Sequence, residues 1–387
     1  MKEIRAIVPN LGKEELNEIS KVIADERISV FSSKKIREFE KAFAKYNNCK
    51  HALALNSGTS ALHTALLSLN LKKNDEVIVP CFSYMATANA VLNSGAKIKF
   101  VDINLKDFSI DTTKIRKAIT SKTKVILPVH MFGAPANMKS IEKIAKKRNI
   151  KIIEDCAQSL GSKINNKHVG TFGNIGCFSF QESKNITTGG EGGMLVTSDN
   201  KIIKTARIIA HEGEVSETNE STTIQGHVHK VNYVLAGHNY RMNAIQAAIG
   251  MAQLKKLNNF VSIRRKIAKE YNNALKKYSK YLVLPSLSKE NYHSFNNYVV
   301  LIKYDRLSRD IVIALLASKG IPAYPYYPNK LTDYSITCKQ HKKESYPNTD
   351  FFCKNHFTLP IHTKLKDKEV EYISKSIKEI MGGLIKC

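Results

Sequence analysis

The sequence predicts an α/β protein: a parallel or mixed sheet flanked by helices, followed by a smaller α+β unit. Three observations carry this. Seven short runs rich in Val, Ile, Leu or Phe lack strict alternation with polar residues: His51–Asn56, Glu76–Pro80, Lys97–Val101, Lys124–Val129, Lys151–Glu154, Gly176–Phe180 and Gly193–Thr197. Runs of that kind suit strands covered on both faces. Helical stretches fall between them in a repeating β-α rhythm, and a long proline-free stretch from Asn243 to Leu275 then ends it.

The first helical stretch, Thr59–Leu69, starts beside Ser57 and Thr59, either of which can cap a helix. Ala86–Leu92, Asp111–Ile119 and Met138–Arg148 supply the next crossovers. Crossovers between parallel strands are right-handed by default, so an open, right-wound sheet is expected. From Asn243 to Leu275 apolar residues recur at three- and four-residue steps, which predicts one helix long enough to bridge two units. After it come YLVLPSL, NYVVLIKYD, a helix at Ser308–Lys319, IPAYPYYP, FTLPIH and a terminal helix at Asp367–Ile380. The chain thus divides into a large unit, residues 1–250, and a small one, 251–387, joined by the helix at 243–275. Glu212–Lys230 is polar and weakly patterned, and reads as a loop, mobile or crossing to another subunit.

At 387 residues with 43% apolar content the chain can bury a large core. No apolar stretch is long enough to span a bilayer, and the N-terminus MKEIRAIVPNLGKEELNE carries acids where a secretory signal needs an apolar segment. A cytoplasmic protein is expected. The seven cysteines are scattered and form no CxxC pair, so neither a zinc site nor a disulfide framework is indicated. The formal charge is +26, mostly lysine spread along the whole length, without a basic arm or an Arg-dense helix. That distribution fits a solvated surface better than a nucleic-acid footprint. Its field would concentrate phosphorylated or nucleotide-linked substrates.

The chemistry concentrates in CFSFQESKNITTGGEGG, Cys177 to Gly193, where Lys184 stands between a strand-like run and a turn with four glycines. Glycine lets backbone approach a bound group closely. A lysine presented there can condense with a carbonyl as a Schiff base, the opening step of pyridoxal phosphate (PLP) chemistry. On this segment alone, a surface lysine in a turn explains the pattern as well.

Five further features surround it. Asn56-Ser57-Gly58-Thr59-Ser60 ends a strand and opens a helix, where backbone N–H groups and small hydroxyls can seat a phosphate or simply cap the helix. Asp155, at a strand's carboxyl end, could hold a pyridine ring nitrogen protonated, with Gln158 by the ring oxygen; it is equally a common turn residue. Phe82-Ser83-Tyr84 follows Val77-Ile78-Val79-Pro80 and offers an aromatic for stacking or for the core. Ser179, five residues before Lys184, could bond a phosphate. Gly237-His238-Asn239-Tyr240-Arg241-Met242 precedes the long helix and would otherwise be its capping loop.

Together these segments resemble the DegT/StrS-type sugar aminotransferases, fold type I PLP enzymes. The likeness runs from FEKAFAKYNNCKHALALNSGTSALHTALLSL through NDEVIVPCFSYMATANAVLNSGAKIKFVDI, VHMFGAPANM, IIEDCAQSLG and the Lys184 segment to GHNYRMNAIQAAIGMAQLKKL. It implies a large domain with a mostly parallel seven-stranded sheet and a smaller α+β domain. It also implies Lys184 as the Schiff-base lysine, Asp155 as partner of the pyridinium nitrogen, Gln158 by the ring oxygen and Tyr84 over the ring face. Gly58, Thr59, Ser60 and Ser179 would hold the phosphate, and Asn239 would reach the phosphate of a neighbouring subunit, which makes a homodimer with shared sites. The implied reaction moves an amino group from L-glutamate or glutamine to a keto-sugar, foremost a nucleotide-linked keto-hexose used for surface polysaccharide, with a keto-inositol or small keto-sugar phosphate as alternatives. PLP and its pyridoxamine form (PMP) would alternate, and no metal, nucleic acid or membrane is called for. Relatives that dehydrate sugars carry histidine at the lysine position, unlike Lys184. A non-catalytic PLP-binding regulator is the alternative of another class. The chain departs from the family in an extra glycine before GEGG, in Asn74 for a glycine, and in a late segment that reads Pro322-Ala323-Tyr324-Pro325-Tyr326-Tyr327 where a His-Tyr pair is usual.

Overall fold

The computed structural model describes residues 4–216, 231–341 and 344–386. The seven apolar runs form one sheet of strands β1 (His51–Leu55), β2 (Glu76–Pro80), β3 (Lys97–Val101), β4 (Thr123–Ile126), β5 (Lys151–Asp155), β6 (Ile175–Ser179) and β7 (Gly193–Thr197). Their spatial order is β1-β7-β6-β5-β4-β2-β3. The pairs β2/β3, β2/β4, β4/β5 and β5/β6 are parallel, whereas β7 runs antiparallel to both β6 and β1. Only β7 is reversed, because the chain doubles back after β6 through the glycine turn instead of through a crossover helix. β4 stops at Ile126, ahead of Pro128, which has no N–H for a ladder.

Both faces of the sheet are covered, as the unbroken apolar runs require. Successive side chains alternate between the faces. Leu53, Leu55, Val77, Val79, Val125, Ile153, Cys177 and Leu195 enter one core, with Ala61, Leu62, Ala88 and Val91 from the helices after β1 and β2. Ala52, Ala54, Phe178, Met194 and Val196 enter the opposite one. Ile78, Val101, Ile126 and Ile152 meet Met138, Ile141 and Ile144.

The covering helices are α1 (Lys13–Asp25), α2 (Lys35–Asn47), α3 (Gly58–Leu67), α4 (Met85–Asn93), α5 (Thr112–Ala118), α6 (Met138–Arg148), α7 (Asn200–Ala210) and α8 (Ala244–Leu275). The sequence pattern had not revealed α1, α2 or α7. α8 is the expected long helix; Asn243 Oδ1 accepts the Gln246 N–H at 2.9 Å, and Gln246 Oε1 accepts the Asn243 N–H at 3.2 Å, a reciprocal cap.

Beyond α8 an antiparallel sheet (Leu282–Val283, Tyr298–Ile302, His356–Leu359) packs with α9 (Arg309–Ser318) and, after α10 (Ser335–His341) and α11 (Pro347–Asn355), with α12 (Asp367–Lys386). Ile4 from the N-terminus joins that core, while Val299, Leu301, Phe352 and Cys353 pack into the core of the large sheet. The segment after Ile4 is tied down along its path. His362 Nε2–H donates to Arg5 O at 2.9 Å, and Gln253 Nε2 donates to Asn10 O at 2.8 Å. Among the described residues no helix is long and apolar enough to cross a membrane.

Several histidines held neutral by burial make stability depend on pH, His168 and His356 at about 4 among them; His293 and His211 illustrate it. His293 is buried and stacked on Phe295, and its Nδ1 accepts the Phe295 N–H at 2.9 Å; burial, then Arg265, pushes its pKa down to about 3. His211 falls to about 4 through burial and the Arg207, Arg241 and Arg37 guanidinium groups. The unfolded chain protonates both near 6.5. Between about pH 6.5 and 4 it therefore binds more protons than the folded chain, so stability present at neutral pH is lost on acidification. At pH 5 the buried His293 should cost about 2 kcal/mol, and the less buried His211 less. Urea midpoints at pH 7 and 5 check this; equal midpoints would contradict it.

Candidate active site

The carboxyl ends of β1, β2, β5 and β6 reach the same sheet edge, the edge at which open α/β sheets bind ligands. There a cavity of about 470 Å³ opens, lined by Ile7, Ser57, Gly58, Thr59, Tyr84, Thr87, Asp155, Gln158, Ser179, Gln181, Lys184, Tyr326 and Tyr327 among others. Of the residues given a cofactor role from the sequence, Gly58, Thr59, Tyr84, Asp155, Gln158, Ser179 and Lys184 are on this wall, and Ser60 and Asn239 are not.

The anion seat is built by α3. Ser57 is the extended N-cap and its Oγ accepts the Ser60 N–H at 3.0 Å. The N–H groups of Gly58 and Thr59, in the helix's first turn, have no intrahelical acceptor and carry the positive end of the helix dipole. Two glycines make this packing possible by lacking a side chain. A Cβ at Gly58 would lie 2.7 Å from Ser179 Cβ, and one at Gly193 would lie 2.1 Å from the Ser57 carbonyl oxygen. The glycine turn thus presses β7 against the start of α3, and Ser179 joins the seat. The Ser60 hydroxyl is turned inward, 2.7 Å from Ser57 Oγ and 2.5 Å from Asn56 Oδ1, so it is off the wall.

Asp155 is 3% exposed. Its Oδ1 accepts the Ala157 N–H at 3.0 Å and its Oδ2 the Thr87 hydroxyl at 2.9 Å, with Ser83 Oγ 2.7 Å behind Thr87. Burial pushes this carboxyl up from its ordinary range, against the opposing pull of these two donors, Lys184 and His130. A buried carboxylate on a cavity wall, with no ion pair among the described residues, suits a cationic ring nitrogen. Gln158 has a fixed orientation: its Oε1 accepts the Phe132 N–H at 2.8 Å, so Nε2 donates to Tyr327 Oη at 3.0 Å and keeps a second hydrogen. Behind Asp155, Glu154 accepts from His130 Nε2 and from the N–H groups of Gly170, Phe172 and Gly173, while His130 Nδ1 accepts from Ala136. Both imidazole nitrogens are thereby spent on holding the end of β5.

Lys184 is half-buried, its backbone N–H bonded to Gln181 O at 2.9 Å. Among the described residues its Nζ makes no ion pair, and it is the only amine on the wall. Tyr84 is 60% exposed, with its ring 5.6 Å from that of Tyr327. Burial, then Tyr326 and Asp155, pushes the Tyr327 hydroxyl well up. Sequence reasoning missed Thr87 and Ile7. Thr87 had a signal, since it stands one helical turn after Tyr84 at the ligand edge; Ile7 had none, because it arrives by the long-range docking of the N-terminal segment. Asn239 is exposed, and its carbonyl accepts a hydrogen bond from Asn56 Nδ2 at 3.3 Å. Of the Glu212–Lys230 loop, Glu214–Ser216 pairs with Val231–Tyr233, and residues 217–230 lie outside the described residues.

The donor set fits PLP: a helix start cleared by glycines for a phosphate, an acid in want of a cation, and an uncommitted amine. A sheet of this order with that chemistry along one edge defines the class, a fold type I PLP enzyme. A sequence model of the DegT/DnrJ/EryC1/StrS aminotransferase family matches residues 9–378, and the chain belongs to that family as a PLP-dependent aminotransferase. It is 35% identical to the GDP-perosamine synthase of Escherichia coli O157:H7, over 98% of this chain and 99% of that one. Its fold superposes on Helicobacter pylori PseC, an aminotransferase involved in the biosynthesis of pseudoaminic acid, with TM-score 0.90, 28% identity and coverage of 99% and 100%. It also superposes on the E. coli GDP-4-keto-6-deoxy-D-mannose-3-dehydratase with bound hydrated PLP, with TM-score 0.86, 28% identity and coverage of 96% and 98%.

Proposed function

We propose that this aminotransferase carries an amino group from L-glutamate, or glutamine, to a nucleotide-linked keto-hexose, acting as a homodimer with shared sites. The observation that carries the reading is the free Lys184 amine on the same wall as the buried Asp155. The GDP-sugar enzyme among the relatives and the +26 charge favour an anionic, nucleotide-linked acceptor over a keto-inositol. The dimer is supported by an exposed apolar stretch, Val231, Tyr233, Val234 and Leu235, directly ahead of the Gly237–Arg241 segment.

When bound, PLP supplies an aldehyde that takes up amino groups and a ring that stores carbanion electrons. Lys184 Nζ, the only amine among the described residues on this wall, would hold that aldehyde and would serve as the general base and acid that moves the proton of the donor Cα. Asp155 keeps the ring nitrogen protonated. Gln158 Nε2 has a second hydrogen that would be free for the ring oxygen, and Tyr84 would cover the ring face. The Gly58 and Thr59 N–H groups and Ser179 Oγ would seat the phosphate, with Ser60 behind them and Asn239 arriving from the other subunit. Tyr326 and Tyr327 also line this cavity, the Tyr327 hydroxyl accepting from Gln158 Nε2.

PLP-loaded protein mixed with L-glutamate should lose its visible band. After removal of the keto acid, a nucleotide-linked keto-hexose should restore the band at least about tenfold faster than a keto-inositol or a free keto-sugar phosphate, about 1.4 kcal/mol of discrimination. A band that no amino acid bleaches would instead mark a PLP-binding regulator.

A further inference from the structure

Asn56, between β1 and α3, uses the two ends of its amide on two different partners. Its Nδ2 faces the Asn239 carbonyl at 3.3 Å; a carbonyl can only accept, so this contact sets the amide's orientation. Its Oδ1 then accepts the Ser60 hydroxyl at 2.5 Å, and Ser60 in turn bonds Ser57, the cap of the phosphate seat. The backbone repeats the link. Asn56 N–H donates to Tyr240 O at 2.9 Å, Leu55 bridges Arg241, and the Tyr240 hydroxyl lies 2.9 Å from His63 Nδ1 on α3. The start of α3 and the Asn239 segment are therefore one hydrogen-bonded body, although 183 residues separate Asn56 from Asn239. The Asn239 side chain does not line its own chain's cavity.

We propose that Asn56 is a positioning residue that couples the two active sites of the dimer: one end of its amide steadies the phosphate seat of its own chain, and the other aims the Asn239 that its chain lends to the partner. The coupling rests on the shared-site homodimer of the proposed function. Loss of the Asn56 amide in one subunit therefore loosens the Asn239 segment that completes the seat of the other. Coupling of this kind needs a contiguous element that both sites bias, and the Ser57-Ser60-Asn56-Asn239 chain supplies it.

Hybrid dimers with differently tagged subunits test this. In each hybrid one subunit carries Lys184→Ala, so the visible band reports only the site of its unsubstituted partner, and PLP affinity is read by titrating that band. The reference pairs wild type with Lys184→Ala. Adding Asn239→Ala to the Lys184→Ala subunit should weaken the reporting site, which establishes the lending of Asn239. Adding Asn56→Ala instead should weaken it about three- to tenfold, the worth of one hydrogen bond, although the reporting subunit itself is unaltered. A merely structural Asn56 would lower the melting temperature of its own subunit and leave the reporting site's affinity unchanged; that result overturns the proposal. If Asn239→Ala has no effect, the shared-site reading falls and the coupling with it; if Asn239→Ala weakens the site and Asn56→Ala does not, the coupling alone falls. Asn56→Ser, with a shorter hydroxyl, replaces Asn56→Ala should the latter fail to assemble, with the same direction expected.

Discussion

Lys184→Ala should remove the visible band of the PLP-loaded protein and lower turnover by at least about 10⁴-fold, the upper range for losing a positioned acid-base group. The expectation follows from the composition of the wall. Lys184 is the only amine among the described residues that line the cavity, so no neighbour can take over either the condensation or the proton transfer. The seat made by Gly58, Thr59 and Ser179 is untouched by the substitution, so PLP should still be retained and be recoverable on denaturation. Retained cofactor with no band and no turnover separates lost chemistry from lost binding. Folding should be little affected, within about 0.5 kcal/mol, because Nζ makes no ion pair among the described residues. Lys184→Arg should fail equally, since a guanidinium stays protonated and cannot condense. Turnover within tenfold of wild type in either variant would remove Lys184 from the mechanism.

What could be read from the chain beforehand follows from how local each signal is. β2, β3 and β7 and helix α6 have the predicted bounds, because apolar runs and periodic faces are written in adjacent residues. The wall residues Gly58, Tyr84, Asp155, Gln158, Ser179 and Lys184 were legible because each stands where a strand ends, and strand ends meet at one edge. α1 was hidden: KEELNEISKVIAD buries only Glu15 and Val22 and starts at a glycine, so its helicity depends on docking to α8. The short hairpin at Lys163–His168 did carry a signal that passed unread, Asn165-Asn166, which adopts the two positive φ values a tight hairpin turn needs. The reversal of β7, the arrival of Ile7 and the inward turn of the Ser60 hydroxyl depend on contacts far apart in sequence, and no window of residues contains them.

Asp155→Asn should lower turnover by about 10²- to 10⁴-fold while leaving PLP bound. The carboxyl sits at the end of β5 with both oxygens engaged, by Ala157 N–H and by the Thr87 hydroxyl. Burial opposes its charge, and among the described residues on the wall the one amine that opposes this is Lys184, which makes no ion pair with it. A ring nitrogen entering the cavity changes that balance: a proton on the nitrogen gives the buried carboxylate the cation it lacks, and the carboxylate holds the proton there. The amide of the variant keeps the shape and loses the charge, so nothing holds the ring cationic when electrons from the donor Cα must be stored. Phosphate seat and lysine remain, so the visible band should persist and bleaching by L-glutamate should become slow. Thr87→Val makes the finer test. It removes one donor from Asp155 without removing the charge, so the carboxyl should rise further and the acid limb of the pH profile for bleaching should move to higher pH, with a smaller loss of rate than in Asp155→Asn. An Asp155→Asn protein that L-glutamate bleaches at the wild-type rate would show that this carboxylate is only part of the scaffold at the end of β5.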